Sequence, residues 1–377
     1  MKIIRNAHIV TSDSVFLGTL CVQGTLIGDV AAGSTGLSAE DWNGDYLLPG
    51  LVELHTDNLK KHVMPRPRVN WPTMPAIIAH DAQITMAGIT TVLDAISVGD
   101  IDADSTCNDS LTAYVAGLKT AAAAGILRAD HFLHMRLELG EENLLTMFEP
   151  YLHDERLKLV SLMDHTPGQR QWTDLNHYRS YVTSKCGWSE DKVYSMLEHL
   201  LTRQQLYAAS NRREIVRRCA TRNSPVPLAT HDDTTVAHVD EAVDDGVAIS
   251  EFPTTLVAAK AAREKGLAIV MGAPNMVRGG SHAGNVSATQ LARAGLLDVM
   301  SSDYVPVSLL HAAFLLRKEG FDLPRAIATV SRNPALLAGL VDRGEIAQEL
   351  RADFLRVRML GEIPVVTGVW KAGTQIA

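Results

Sequence analysis

The sequence lacks both a long hydrophobic run and an excess of basic residues. Apolar residues make up 46% of the 377 positions. They are spread along the chain, and no uninterrupted stretch approaches the roughly 20 residues that a membrane helix needs. Lysine and arginine number 35 against 43 acidic residues, which gives a formal net charge of −8. Without a basic surplus to neutralise phosphates, a general nucleic-acid binder is disfavoured. We therefore expect no membrane and no nucleic-acid partner.

Cysteine is also scarce, and the cysteines are far apart in the sequence. The four cysteines, at positions 21, 107, 186 and 219, form no CxxC pair. A chain of this length does not need disulfide bonds to stabilise its core, so we interpret them as free thiols in a reducing compartment. Residues 1–6 lack the apolar core and the cleavage site of a signal peptide. Both observations predict a cytoplasmic protein.

The two ends of the chain have the pattern of short antiparallel strands. Apolar stretches broken by glycine, serine and aspartate occupy the first 45 residues, and similar stretches occur at 353–359 and 364–370. A chain that leaves a domain and returns to it encloses the middle as a second domain. We predict a small β-sandwich domain formed by residues 1–48 and 345–377, and a larger domain formed by residues 49–344.

The middle of the chain alternates strand-like runs with longer helical segments. The eight predicted strands lie at 46–54, 89–96, 131–138, 156–164, 226–231, 247–251, 267–271 and 297–303. Repeated β–α units predict a parallel sheet, and eight of them fit an α/β fold of the closed (β/α)₈ TIM-barrel type. A doubly wound open sheet is the alternative. That fold expects a glycine-rich phosphate loop after the first strand, where this sequence has His55, Thr56 and Asp57.

Residue types that bind metal ions end several predicted strands, on the side of the barrel where enzymes of this fold carry their active sites. His55 and Asp57 end the first strand, and because they are two residues apart their side chains point to the same side. The other candidate ligands at strand ends are Glu138, His165, His231 and Asp303. Three imidazoles and three carboxylates are enough for two divalent ions, for which zinc is favoured and manganese and iron are alternatives.

Two such ions held side by side generate hydroxide from water near neutral pH. Asp303, on the last strand, is the candidate that accepts the proton from that water. Each candidate alone has an ordinary structural explanation. Their occurrence at the ends of five strands predicts a binuclear hydrolytic site.

A basic segment follows the first pair of candidate ligands and predicts an anionic substrate. Positions 59–68 contain five basic residues and no acidic residue. A glycine-rich loop follows the seventh strand, and its backbone amides and arginine could hold phosphate oxygens. A solvated basic loop and a simple turn are the alternatives for these two segments. The candidate substrate-binding residues are Asn58, Lys60, Lys61, His62, Arg66, Arg170, Glu251, Arg278, Gly279, Gly280 and His282.

Several of these segments resemble the amidohydrolase superfamily. Segment 46–57 looks like its strand-one segment, in which a second histidine usually stands at the position of Asp57. Residues 333–335, 339–346 and 352–354 resemble its closing segment. Residues 55–72, 164–169, 231–234, 251–255, 271–282 and 302–304 are similar to one family within it, the ribose-triphosphate diphosphatases of the carbon–phosphorus lyase pathway. The similarity covers essentially the whole chain.

The resemblance implies that the protein hydrolyses a ribose 5-triphosphate to the 5-phosphate and pyrophosphate during phosphonate breakdown. It implies that Glu138 bridges the two ions, by analogy with members that use a strand-three glutamate. Lys60, Lys61, Arg66 and Arg278 would then stabilise the developing charge. Two alternatives stay open: hydrolysis of a C–N bond, as by a deacetylase or cyclic amidase, and a non-catalytic assembly component. The sequence is also compatible with a homo-oligomer.

Overall fold

The chain begins with five strands of a small sheet that does not belong to the barrel. The computed structural model describes residues 1–66, 69–99, 107–186, 189–281 and 284–377. The first strands are β1 (Lys2–Val10), β2 (Val15–Gln23), β3 (Leu26–Ala32), β4 (Glu40–Asp41) and β5 (Tyr46–Pro49). Alternation of apolar and polar residues along β1 and β2 lets one face of each strand pack inward.

The middle of the chain forms an eight-stranded parallel barrel, which confirms the predicted fold class. Its strands are hydrogen-bonded in chain order: β6 (Leu51–Thr56), β7 (Ile89–Val98), β8 (Asp130–Glu138), β9 (Leu157–Met163), β10 (Leu228–His231), β11 (Ile249–Glu251), β12 (Ala268–Gly272) and β13 (Val299–Ser301). The segment after β13 closes the barrel on β6. The Asp303 amide donates to the His55 carbonyl at 3.1 Å, and the Asp57 amide donates to the Asp303 carbonyl at 3.1 Å.

Helices connect the barrel strands and cover their outer faces. They are α1 (Asn58–Val63), α2 (Thr73–Met86), α3 (Cys107–Ala123), α4 (Leu144–Phe148), α5 (Leu175–Cys186), α6 (Glu190–Arg203), α7 (Ala209–Ala220), α8 (Val236–Asp244), α9 (Leu256–Glu264), α10 (Ala273–Arg278), α11 (Ala288–Arg293), α12 (Ser308–Leu316), α13 (Leu323–Ala328) and α14 (Arg332–Leu337). Side chains of Ser189, Thr235 and Thr255 cap α6, α8 and α9 by accepting backbone amides. None of the described helices is long and apolar enough to cross a membrane.

The end of the chain returns to the small sheet through β14 (Phe354–Leu360), β15 (Ile363–Lys371) and β16 (Thr374–Gln375). The strand order is β16-β15-β14-β5-β1-β2-β3, with β4 beside β1, so β5 and β14 join the two ends of the chain. Trp42, Phe354 and Trp370 lie in its core, and the last two rings stack with centroids 4.9 Å apart. The predicted domain limits stay a prediction: residues 1–48 with 345–377 for the small domain, and residues 49–344 for the barrel.

The first predicted barrel strand, 46–54, is in fact two strands in two different sheets. Residues up to Pro49 pair with β14 in the small sheet, and the barrel begins at Leu51. Gly50 lies between them, and its amide donates to the Asp353 carbonyl at 2.9 Å. A Cβ atom at this position would lie 2.4 Å from the Thr90 hydroxyl oxygen. The change of sheet therefore depends on the absence of a side chain, which an apolar sequence pattern does not reveal.

Candidate active site

A cavity of about 510 Å³ lies at the carboxyl ends of the barrel strands. All six predicted metal ligands line it, although they come from strands far apart in the sequence: His55, Asp57, Glu138, His165, His231 and Asp303. The structure thus brings the six side chains together. The hydrogen bonds around them distinguish those that face a bound ion from those that support them.

Each of the three cavity histidines is held through its Nδ1 atom by a buried glutamate. Nδ1 of His55 lies 2.9 Å from Oε1 of Glu251, and Nδ1 of His231 lies 3.3 Å from Oε2 of the same carboxylate. Nδ1 of His165 lies 2.7 Å from Oε2 of Glu138. A carboxylate partner places the proton on Nδ1 and leaves Nε2 as a lone-pair donor, which is the usual arrangement of metal-binding histidines.

Carboxylate oxygens without a partner complete this arrangement. Oδ2 of Asp232 lies 3.6 Å from Nε2 of His231 and 3.9 Å from Nε2 of His165, and it is buried without a hydrogen bond. Oδ1 of Asp57 is buried in the same way. Buried unpaired carboxylate oxygens are costly unless a cation compensates them. The residues present therefore fit a divalent metal ion, and the site is a metal-binding site.

Sequence reasoning missed Asp232, although the residue directly follows His231 at the end of β10. Its backbone has a φ of +56°, and Phe252 and Asp303 have φ values of +54° and +52° after β11 and β13. These three left-handed residues turn the chain at the ends of β10, β11 and β13, and all three line the cavity. Such conformations are uncommon for residues other than glycine and concentrate at functional sites. The ring of Phe252 packs against His55 and shields its ring.

Glu251 was predicted either to contact the substrate or to support the metal ligands, and it lies beneath the histidines. Its side chain is 0% exposed, and it is not among the described residues that line the cavity. The carboxylate also accepts a hydrogen bond from Ser161 at 2.6 Å. Burial alone would raise the pKa of Glu251, but the neighbouring imidazoles and the hydrogen bonds from His231 and His55 hold the pKa well below its usual value. Glu251 therefore orients two histidines and has no access to a substrate.

Glu138 was predicted to bridge two ions, and its hydrogen bonds favour a different role, the support of His165. Oε1 accepts the backbone amide of His165 at 3.0 Å, and Oε2 accepts from the Nδ1 atom of the same residue. Both oxygens are therefore directed to one histidine. Burial opposes a charged imidazole, but the Glu138 carboxylate outweighs it and raises the pKa of His165. Asp232, with its unpartnered oxygen between two histidines, is better placed to bind an ion.

The predicted substrate-binding residues divide into three groups. Lys60, Arg278 and Gly280 line the cavity. The described residues that are absent from its lining are Asn58, Lys61, His62, Arg66, Arg170, Glu251 and Gly279. His282 lies outside the described residues. Among its described residues, the basic segment thus contributes one lysine to the cavity, and Lys61 and Arg66 lie at the surface.

Hydrogen bonds within the protein occupy several of the groups that were predicted to bind the substrate. Arg170 is buried, and its guanidinium donates at 2.8 Å to the Asp233 carboxylate and to the His231 carbonyl. The Gly279 and Gly280 amides donate to carbonyls of the last turn of α10, at 3.2 and 2.9 Å. These amides end a helix by bonding to its carbonyls, which favours the alternative interpretation of this loop as a simple turn.

Asn58 belongs to a buried network outside the barrel, between α2 and strands β7 and β8. Its amide donates to Nδ1 of His80 at 3.1 Å and to Gln83 at 2.8 Å. Nε2 of His80 contacts one oxygen of Asp94 at 2.8 Å, and Nδ1 of His131 contacts the other at 2.8 Å. These groups satisfy one another's hydrogen bonds, and we interpret the network as support for α1 and its cavity lysine.

One wall of the cavity is apolar and comes from the long connection between β9 and β10. Trp172, Tyr178, Val182 and Met196 line this side. The first three also belong to a small hydrophobic cluster of their own, separate from the barrel core. Sequence reasoning missed this wall because the pattern of α5 and α6 predicts helices without showing where they pack.

The barrel and the site together define a (β/α)₈-barrel protein with a divalent metal site at the carboxyl ends of its strands. Dihydropyrimidinase from Brevibacillus agri NCHU1002 is one similar solved structure, with 12% identity, coverage of 99% of this chain and 94% of the other, and a TM-score of 0.64. N-acetyl-D-glucosamine-6-phosphate deacetylase from Mycobacterium smegmatis has 14% identity, coverage of 100% of both chains and a TM-score of 0.64. 5-methylcytosine deaminase from Klebsiella pneumoniae has 16% identity, coverage of 100% of this chain and 98% of the other, and a TM-score of 0.61. At these identities the similarity shows the fold alone.

A more similar relative identifies the family. The chain is 42% identical to the α-D-ribose 1-methylphosphonate 5-triphosphate diphosphatase of Escherichia coli (strain K12), over 99% of this chain and 100% of the relative. The chain therefore belongs to this family of diphosphatases, and it is a hydrolase. No model of a protein family matches the sequence.

Proposed function

We propose that this protein hydrolyses α-D-ribose 1-methylphosphonate 5-triphosphate to the 5-phosphate and pyrophosphate in phosphonate catabolism. The relationship to the diphosphatase supports the substrate. The observation that carries the proposal is the set of three cavity histidines, each held through Nδ1 by a buried glutamate, in a cavity that also contains Lys60 and Arg278. Metal-binding groups beside cations suit the hydrolysis of a phosphoric anhydride.

We further propose two divalent ions, with zinc favoured over manganese and iron. His165, His231 and Asp232 would hold one ion, and His55, Asp57 and Asp303 would contribute to the other. Bound ions of this kind lower the pKa of water and neutralise phosphate charge. A cytoplasmic location and a homo-oligomer, both compatible with the sequence, belong to the same proposal.

The chain's own residues have three tasks in this reaction. Lys60 and Arg278 bind phosphate oxygens and stabilise the charge that develops on the leaving pyrophosphate. Asp303 accepts a proton from the attacking water, because its carboxylate lies in the cavity beside Gly272 on the next strand. Trp172 and its apolar neighbours exclude water from one side of the cavity.

The proposal is tested by comparing turnover of two substrates by the metal-loaded protein. We expect hydrolysis of the ribose triphosphate and no comparable hydrolysis of a dihydropyrimidine, an uncharged cyclic amide. Asp303→Asn should reduce kcat on the triphosphate on the order of 10²- to 10⁴-fold. Asp29→Asn, in the small sheet, is the matched control. Turnover of the amide alone would favour the C–N hydrolase, and wild-type turnover by Asp303→Asn would refute the role of Asp303.

A further inference from the structure

We propose that Arg136 binds phosphate oxygens of the substrate beside the metal ligands and thereby selects an anionic substrate over an uncharged amide. The inference rests on the proposed function and adds a binding residue that the sequence prediction did not include. Arg136 lies on β8, two residues after His134 and two before Glu138, so the three side chains point into the barrel. Arg136 lines the cavity.

One donor of the Arg136 guanidinium lacks a partner. The Nε–H group is buried and donates no hydrogen bond to any of the residues that the structure describes. The nearest carboxylate along the strand, Glu138, uses both oxygens for His165. Burying a charged donor without a hydrogen-bond acceptor costs more free energy than a hydrogen bond contributes to stability. Native proteins therefore rarely leave such a donor without a partner. The missing partner is therefore an anion that enters the cavity.

Arg136 lines the same cavity as His165, His231 and Asp232, the residues proposed to hold one ion. A phosphate group that contacts that ion would therefore lie in the same space as the guanidinium of Arg136. Its planar donor fork matches two phosphate oxygens at once.

The balance of charge in the cavity also favours an anion. The described lining residues include four carboxylates, on Asp57, Glu138, Asp232 and Asp303, and three cationic side chains, on Lys60, Arg136 and Arg278. Two divalent ions would make this set net positive. An uncharged amide would leave Arg136 desolvated and unpaired, whereas a triphosphate supplies oxygens to it. Unpaired polar groups of this kind discriminate strongly against the wrong ligand.

The test measures binding of inorganic pyrophosphate to the metal-loaded protein by calorimetry, without turnover. Arg136→Gln should weaken binding on the order of 10- to 100-fold while metal content stays at the wild-type level. Arg213→Gln, at an exposed position of α7, should bind as the wild type does. Equal affinity of Arg136→Gln and the wild type would overturn the proposal. Absence of pyrophosphate binding to the wild type would overturn it as well.

A second measurement needs no variant and therefore survives a folding defect in Arg136→Gln. Phenylglyoxal modifies accessible arginines, and mass spectrometry locates the modified residues. Pyrophosphate should protect Arg136 and leave Arg213 reactive, and equal modification of Arg136 with and without pyrophosphate would contradict the assignment. Failure of the proposed function has a different outcome: pyrophosphate still binds through Arg136, but the ribose triphosphate is not hydrolysed.

Discussion

At the scale of single residues, the site depends on partners that hold the histidines as much as on the histidines themselves. Glu251 contacts His55 although 196 positions separate them in the sequence. The carboxylate fixes the ring orientation and the tautomer, and it raises the basicity of the nitrogen that faces an ion. Removing its charge should therefore weaken metal binding without removing any atom that touches the metal.

Glu251→Gln tests this effect. We expect metal affinity to fall on the order of 10- to 100-fold, because the amide no longer accepts from both histidines as a carboxylate does. Competition with a chromophoric chelator measures the affinity. Glu155→Gln, at an exposed position, provides the matched control. Unchanged affinity in Glu251→Gln would show that the glutamate is only part of the packing.

The sequence predicted the residues at the cavity better than it predicted their roles. Histidines and aspartates at strand ends are recognisable because the carboxyl ends of parallel strands meet at one face. The carboxylates that bond to Nδ1 of the cavity histidines come from other strands. The spacing of residues in the sequence therefore could not predict that Glu251 supports two histidines or that Glu138 bonds to His165. Arg170 was misassigned for the same reason, since Asp233 neutralises it only in the folded chain.

At the scale of elements, α2 is joined to β7 and β8 by a buried pair of carboxylates around one imidazole. His131 contacts Asp94 at 2.8 Å and Asp81 at 3.3 Å. Burial would lower the pKa of His131, but the two carboxylate charges outweigh burial and raise the pKa to about 9. Although burial opposes it, the His131 charge in turn lowers the pKa of Asp94. The element contact is therefore ionic and depends on pH.

The stabilisation by His131 should disappear as the pH rises. Because the folded-state pKa of about 9 exceeds the ordinary value of 6.5, the contribution is complete below pH 6.5 and is lost as the pH passes through 9. The difference in unfolding free energy between the wild type and His131→Gln should shrink over this interval by a few kcal/mol. Urea unfolding at several pH values measures it, with exposed His153→Gln as control. A constant difference would contradict an ionised His131.

The change of sheet at Gly50 gives a second prediction for the elements. Gly50→Ala should destabilise the protein by about 1–3 kcal/mol, because the added methyl group meets the Thr90 hydroxyl. Gly36→Ala is the control, since no heavy atom lies within 4 Å of its added Cβ. Thermal unfolding measures both variants. Equal stability of Gly50→Ala and the wild type would mean that the chain can pass from β5 to β6 with a side chain at position 50.

At the scale of the whole molecule, much of the architecture was predictable from the sequence. Alternating strand and helix patterns predicted eight barrel strands, and similar patterns at both ends predicted a shared small sheet. The first strand was misread because its two halves are equally apolar. The apolar wall from α5 and α6 was not predictable, because its position depends on packing between segments distant in sequence rather than on local pattern.

The cavity, its cations and its metal ligands serve one proposed reaction, the release of pyrophosphate from the ribose triphosphate, which ³¹P NMR tests most directly. Metal-loaded protein is mixed with α-D-ribose 1-methylphosphonate 5-triphosphate, and the phosphorus resonances are followed with time. Because cations and metal ligands share one cavity, we predict that pyrophosphate and the 5-phosphate appear together in equal amounts. Stepwise release of orthophosphate, or an unchanged triphosphate in protein that contains its metal, would contradict the account.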